Sequence, residues 1–333
     1  MRQQINRLLF LIGIAAIFVM ILTFDVSFSE LWGYISNAGY WIMAAILLWA
    51  GIYALNAQAW RIIMRCSGPC PFSVWKIWQL TVSGYALNAT VPVGGVGGMP
   101  YKILETSRLI GTKRATSSVV LFAMMHVFSH FWFWLTGVAV YLILALVATW
   151  SIDSTMVLLL VLTSLISCGG IWLFRKCYHY GLVSKMVLLI GKIPGLHHKV
   201  GRFYDNHRLS FVDIDLQITA LWNHNKKAFR QSLLLEYLCR WLQALEVFFI
   251  LVMFGQYAGV LTFLFAFLII AFTSLFANLA GFIPLQLGVR EGGFALTMAL
   301  FGLAPEGGLI ISIICRVREI VWAIIGIVIM KLK

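Results

Sequence analysis

The chain has 333 residues, of which 61% are hydrophobic and 11% charged, with a mean hydropathy of +0.92. Soluble domains carry roughly a quarter charged residues, so a water-soluble globular fold is excluded. The net charge of +13 does not mark a nucleic-acid binder, because the Lys and Arg residues lie between apolar runs, where the positive-inside rule and anionic headgroups account for them.

Apolar runs of about twenty residues have the length a helix needs to span the hydrocarbon core, whereas a membrane barrel would alternate over ten-residue strands. They predict an all-α polytopic membrane protein with about 7–8 transmembrane helices and two re-entrant or broken-helix segments. Arg2 and Arg7 precede the first run, 8–24, which resembles a signal peptide without a small-x-small cleavage site. It is read as a retained first helix with the N-terminus cytoplasmic. Residues 25–38 contain no Lys or Arg and are expected outside. A second helix over about 40–60 returns to Arg61, Arg65 and Lys76, and its Asn56 and Gln58 are expected to hydrogen-bond within the bundle. Cys66 and Cys70 follow in an inner loop, where thiols stay reduced and no second Cys or His pair completes a zinc site. They are expected to be unpaired.

From Trp75 an apolar segment climbs to Asn88-Ala-Thr-Val-Pro92-Val-Gly94-Gly95-Val-Gly97-Gly98-Met-Pro100, and Lys102, Glu105, Arg108, Lys113 and Arg114 come next. With those cations inside, the chain has turned back within the membrane, and the glycines and prolines make such a turn sterically accessible. A re-entrant hairpin is predicted. The 36-residue run 115–150 predicts one steeply tilted helix, or a helix with an amphipathic lead-in. Its His126 and His130 share a face at i, i+4 and are expected to hydrogen-bond rather than hold a metal, since no H-E-x-x-H glutamate accompanies them. The aromatic cluster 131–134 reads as interfacial or lipid-facing. A fifth helix over about 155–174 returns inside to a basic cytoplasmic connector, 175–230, which holds ten of the 25 Lys and Arg residues against three acids. Within it 182–190 is amphipathic enough to lie on the inner surface.

The sixth helix, about 231–254, carries Glu236, Arg240 and Glu246, and the first two, at i, i+4, are expected to neutralise each other. The seventh, from 260 to 281, enters Asn278-Leu-Ala-Gly-Phe-Ile-Pro284-Leu-Gln-Leu-Gly288-Val-Arg290-Glu291-Gly292-Gly293. Charge at membrane depth is costly and irregular backbone there must line a cavity or be buried in protein, so this stretch reads as a site. The next ten residues, 294–303, suit a half-helix. In the closing helix, 308–330, an unpartnered Arg316 would cost at least about 2–3 kcal/mol, so pairing with Glu319, Glu236 or Glu291 is expected.

Asn88, Pro92 and Gly95 recur in order as Asn278, Pro284 and Gly288, and the spacing from His126 to Trp132 matches that from Arg316 to Trp322. Two Gly/Pro-interrupted segments in corresponding positions point to a transporter site at a repeat interface. The expected organisation is one integral membrane domain over 1–333, with repeat 1 over about 40–150, the connector 175–230 and repeat 2 over about 231–330.

The run Pro284-Leu-Gln-Leu-Gly-Val-Arg-Glu-Gly-Gly, with Leu300-Phe-Gly-Leu and then Cys315-Arg316 in the closing helix, resembles the transmembrane flippase-like domain of the lysylphosphatidylglycerol synthase family. The glycine-rich 92–102 segment resembles that family's first motif, although Gly98-Met99-Pro100 stands where the family carries an acid. The resemblance implies a protein that moves lipids between leaflets, including aminoacylated phospholipids and polyprenyl-linked lipids. The chain stops at Lys333 without a soluble acyltransferase domain, so neither aminoacylation nor any other enzymatic activity is expected.

By residue chemistry, Arg290 offers a planar fork to a phosphate, with Glu291 as its counter-ion or as the partner of an aminoacyl ammonium. A salt bridge at the helix start is the structural alternative. Arg316, Glu319, Asn278, Asn88, Lys102, Glu105, Glu236 and Arg240 complete the expected substrate-binding set, with no catalytic residue, metal or cofactor. The expected partner is a membrane phospholipid or lipid-linked headgroup, in a bacterial-type cytoplasmic (inner) membrane. Two other functions compete. One is a non-transporting scaffold that would engage a lipid or glycan synthase through the basic connector. The other is a membrane enzyme acting on a lipid phosphate, for which Lys102 and Arg108 resemble a lipid-phosphatase opening that lacks its following Pro and Ser-Gly-His.

Overall fold

The computed structural model describes residues 33, 40–90, 97–147, 153–180, 184–185, 197–280, 286 and 288–331. The expected helix over 8–24, most of 25–38, Pro92, Gly94, Gly95, residues 151–152, most of 182–190 and Pro284 lie outside the described residues. Within them every regular element is a helix. The chain forms α1 (Tyr40–Cys66), α2 (Val74–Thr90), α3 (Met99–Ile110) and α4 (Thr112–Val147), then α5 (Ser154–Tyr180) and α6 (His197–His224). It continues with α7 (Lys226–Met253), α8 (Val260–Leu279), α9 (Val289–Leu300) and α10 (Pro305–Lys331). The first four helices have 27, 17, 12 and 36 residues and the last four 28, 20, 12 and 27, the same order of long, medium, short and long. α1 packs along α7, while α2 lies on α10 and α8 on α4.

Several helices outrun their apolar cores, because burial continues past the first charge. α1 extends beyond residue 60 to Cys66 since Ile63 and Met64 remain buried while Arg65 faces out. α5 reaches Tyr180, not 174, with Cys177 and Tyr178 buried, and α7 starts at Lys226, not 231, with Phe229 buried. Most of the described part of 175–230 is therefore helix rather than loop. The described part of the 115–150 run lies in one helix, α4, of about 54 Å at 1.5 Å per residue. The aromatic cluster on α4 corrects the lipid-facing expectation for 131–134. Trp132 is exposed, but Phe133 packs on Phe267 with ring centroids 4.7 Å apart, and the Trp134 indole N–H donates to Ser274 Oγ at 2.9 Å. α8 covers this face of α4, and tertiary contact overrides what an all-apolar helix can signal about its own sides.

α1, α4, α5 and α8 are long and apolar enough to cross a membrane. α7 and α10 are as long as α1, but carry Glu236, Arg240 and Glu246, or Arg316, Arg318 and Glu319, along their middles. α5 sits outermost, and Val157, Leu158, Val161, Leu162 and Leu165 on it are exposed, as expected of a surface whose solvent is lipid. The fold is that of a polytopic α-helical membrane protein.

α2 ends at Thr90 and α3 begins at Met99, while α8 ends at Leu279 and α9 begins at Val289. The Gly98 N–H donates to Asn88 Oδ1 at 2.7 Å, tying the start of α3 to the end of α2. On the second side the Gln286 amide donates to the Ala277 carbonyl at 3.1 Å. Gly288, at φ 77°, opens α9, and Gly111, at φ 78°, turns α3 directly into α4, a left-handed backbone that glycine adopts without penalty. Arg114, in the first turn of α4, donates to the Met64 and Pro69 carbonyls at 2.8 and 2.9 Å, so it ties the C-terminal end of α1 and the turn after it to α4. All six cysteines are free thiols, Cys66 and Cys70 among them.

α3 crosses α2 backbone to backbone. A Cβ on Gly98 would lie 2.0 Å from the Gly84 carbonyl oxygen, and one on Gly84 would lie 2.3 Å from Lys102 Cε. Gly98→Ala is therefore expected to force the crossing apart and cost about 1–3 kcal/mol. Gly169→Ala, on α5 where nothing lies within 4 Å, should change stability little. Thermal unfolding of the two variants in detergent checks this, and an equal effect at both positions would refute the tight crossing.

Candidate functional site

Residues Trp49, Tyr53, Asn56 and Trp60 follow one another at i, i+4, i+7 and i+11, one face of α1 by helical period. Glu236, Arg240, Gln243 and Glu246 stand at i, i+4, i+7 and i+10, one face of α7. These stripes meet along the α1–α7 contact, so the middle of an apolar bundle contains a polar and aromatic seam. A charge there cannot be left to water, and each end of the seam gathers its own partners.

At one end α7 meets α9 and α10. The Arg318 guanidinium donates twice to Glu246, at 2.7 Å (Nε) and 3.0 Å (Nη2), and stacks 3.8 Å from the centroid of the Trp49 ring. The Trp49 indole N–H donates to the same carboxylate at 2.8 Å. Arg290, from α9, donates to Glu319, which also lies 3.5 Å from Arg316 and 3.6 Å from Arg318. Arg316 donates to Glu291 at 3.3 Å, and Ser312 Oγ adds a bond to that carboxylate at 3.1 Å. Glu291 also accepts the Gly288 N–H at 2.9 Å, which closes the first turn of α9. Three guanidinium groups thus meet three carboxylates, and the ensemble is charge-balanced.

At the other end α7 meets α1 and α4, and side chains of α2 and α3 reach toward the same centre. Glu236, fully buried, accepts the Asn56 amide at 3.0 Å and lies 2.8 Å from His126 Nδ1, and the Tyr85 hydroxyl donates to Asn56 Oδ1 at 2.9 Å. Arg240 Nη2 approaches His126 Nε2 at 2.9 Å. A neutral imidazole with its proton on Nδ1 satisfies both neighbours, donating to the carboxylate and accepting from the guanidinium. Lys102 reaches in from α3, 5% exposed, with its ammonium 4.9 Å from the Phe122 centroid, 5.3 Å from Trp60 and 5.4 Å from Tyr85. Aromatic faces stabilise such a cation, more strongly when water is excluded.

A family model describing the lysylphosphatidylglycerol synthase TM region matches residues 9–326, which include both ends of this seam. The chain belongs to that family. No curated protein and no solved structure matches it.

For this member of the lysylphosphatidylglycerol synthase TM family, the ten residues singled out from sequence separate in space. Arg290, Glu291, Arg316 and Glu319 come together, and Arg316 finds two of its three expected partners. Lys102, Glu236 and Arg240 share the second centre, but Glu236 and Arg240 do not simply answer each other as their i, i+4 spacing suggested: His126, from α4, bonds to both. Asn88 holds the α2–α3 turn, exposed Asn278 donates to the Ser274 carbonyl at 2.7 Å, and Glu105 lies half-buried on α3 one turn beyond Lys102. His130 Nδ1 donates to the His126 carbonyl at 3.0 Å, so both imidazoles are engaged in hydrogen bonds within the bundle.

Sequence reasoning left Glu246, Arg318, His126, Trp49 and Tyr85 out of the site. Glu246 and Arg318 were legible as further charges on helices already carrying site residues, and the 236/240/243/246 stripe would have exposed the first. Nothing in the sequence joins His126 to Glu236, 110 positions away. Breaking the Glu246–Arg318 pair should cost about 3–5 kcal/mol in Glu246→Ala, because a buried guanidinium loses the carboxylate it donates to twice and keeps only Glu319, at 3.6 Å. Replacing both, as Glu246→Leu with Arg318→Met, should recover much of that loss. Unfolding measurements in detergent decide it, since additive losses in the double variant would mean the two groups are not coupled.

Proposed function

We propose that this protein moves a lipid between leaflets: an anionic or aminoacylated phospholipid, or a polyprenyl-phosphate-type lipid. The observation that carries the reading is the α1–α7 seam, a row of buried polar and charged side chains inside a bundle whose outer helix is apolar. A headgroup could follow that row while its acyl chains remain in lipid, exchanging one set of ionic partners for another as it goes. Membership of the lysylphosphatidylglycerol synthase TM family supports a membrane role of this kind.

In the same proposal the two sets of four helices, matched in order and cross-packed, are the repeats over about 40–150 and 231–330, within a chain of seven or eight spans. α2–α3 and α8–α9 are its two broken-helix segments. Irregular backbone at membrane depth is tolerated where protein or a cavity surrounds it, which is the usual place for a transporter's site. The N-terminus is assigned to the cytoplasmic side of an inner membrane by the cations that flank the early helices. On this reading the protein is a carrier rather than an enzyme.

Reconstitution into liposomes with labelled lipids tests this. Leaflet exchange supports transport, chemical conversion of the lipid supports a membrane enzyme, and neither outcome supports a scaffold. Arg290→Ala with Glu291→Ala should lower exchange at least tenfold while the protein stays folded. That double variant removes one charge of each sign and leaves Arg316 beside Glu319, 3.5 Å apart, so the centre remains balanced. Normal exchange by the double variant would remove this end of the seam from the path.

A further inference from the structure

The two ends of the seam differ in charge. Around Arg290 and Arg318 the counts of guanidinium and carboxylate are equal, and each cation lies within 4 Å of an acid. Around His126, among the described residues, two cations, Lys102 and Arg240, face one carboxylate, Glu236. That carboxylate is already committed to Asn56 and His126. The Lys102 ammonium has three aromatic rings around it, which soften its burial without neutralising it. A net positive charge held in a low-dielectric bundle is unfavourable until an anion joins it.

The His126 side chain, which touches both Glu236 and Arg240, is 27% exposed, whereas Lys102 and Arg240 are buried, so an anion would reach the two cations past His126. The absence of a side chain at Gly84 is what lets Lys102 lie there: any Cβ would collide with its stem.

We infer that the Lys102–Arg240 end of the seam is an anion site that takes one singly charged phosphate group, as in a phosphodiester headgroup, and that the Arg290 end is not where this phosphate first binds. The chemistry fits the residues. Arginine offers a planar fork to phosphate oxygens and lysine a point charge, and the surplus of one cation matches one negative charge. A zwitterionic headgroup would carry its own cation toward Lys102 and Arg240 and should bind more weakly. The inference rests on the lipid-moving reading for its biological meaning, but it is measured by binding alone.

The test uses the purified full chain in detergent at fixed low ionic strength, with dihexanoyl phosphatidylglycerol, dihexanoyl phosphatidylcholine and inorganic phosphate as separate probes in calorimetry. The phosphatidylglycerol is expected to bind at least tenfold more tightly than the phosphatidylcholine. Lys102→Gln should weaken it at least tenfold, and Lys102→Arg, which keeps the charge, should retain it. Glu236→Gln should strengthen binding severalfold, because the centre then carries two surplus charges instead of one. A merely structural role for these residues predicts the opposite sign at Glu236. Inorganic phosphate following the same variant pattern would support the site with free phosphate as its source, whereas a response confined to the lipid assigns it to a headgroup. Unchanged binding in Lys102→Gln, loss of binding in Glu236→Gln, or equal affinity for the two lipids would overturn the inference. Binding with the expected pattern in a protein that exchanges no lipid would leave the site standing and remove the transport reading. Exchange by a protein whose lipid affinity ignores Lys102 would do the reverse.

Discussion

Removing an ion from water costs more than any single apolar contact returns, and this constraint organises the interior of the bundle. Nine ionised side chains of α3, α7, α9 and α10 meet in the seam, and nearly every polar feature around them can be read as a response. Trp49 both stacks on Arg318 and donates to Glu246. Asn56 bridges Glu236 and Tyr85. Ser312 and the first turn of α9 supply donors to Glu291. Without these partners α7 and α10 would be poor candidates for the interior of a membrane protein, and with them they pack at its centre.

The second constraint is how closely backbones must approach to bring the short helices inward. α3 carries Lys102, and its path depends on the contact between Gly98 and Gly84, where neither helix has a side chain to hold the other off. A comparable approach occurs where Gly308 of α10 meets the backbone of Phe294 and Ala295 in α9. Such small-residue crossings are the normal means of joining helices when lipid offers no hydrophobic drive for association. The short helices deliver charge to the seam because glycine lets them lie that near.

The seam joins elements that are far apart in sequence but equivalent in order. α1 and α7, the first helix of each set of four, form its walls, and the short third helices, α3 and α9, each bring a cation to one end. The ends are nonetheless unlike. One is a closed set of arginine–glutamate pairs, and the other is built around a histidine between a carboxylate and a guanidinium, with a lysine held among aromatic rings. Family membership by itself does not distinguish them, and the difference arises from which side chains the two sets contribute.

Composition and hydropathy alone determined that this is a helical membrane protein, because a chain with so few charges cannot cover itself in water and runs of that length fit only helices across a bilayer. Local chemistry also singled out the Arg290-Glu291 turn and the pairing of Arg316, since Gly and membrane-depth charge have meanings that do not need a fold. Tertiary structure decided what the pattern could not carry. An α4 that is apolar on every side says nothing about which aromatics face protein, so Phe133 and Trp134 were legible only once α8 lay against them. The place of His126 between Glu236 and Arg240, and with it the unequal charge of the two centres, depended on contacts spanning more than a hundred residues. Periodicity and spacing register neighbours along one helix, whereas the balance of buried charge is settled by neighbours across several.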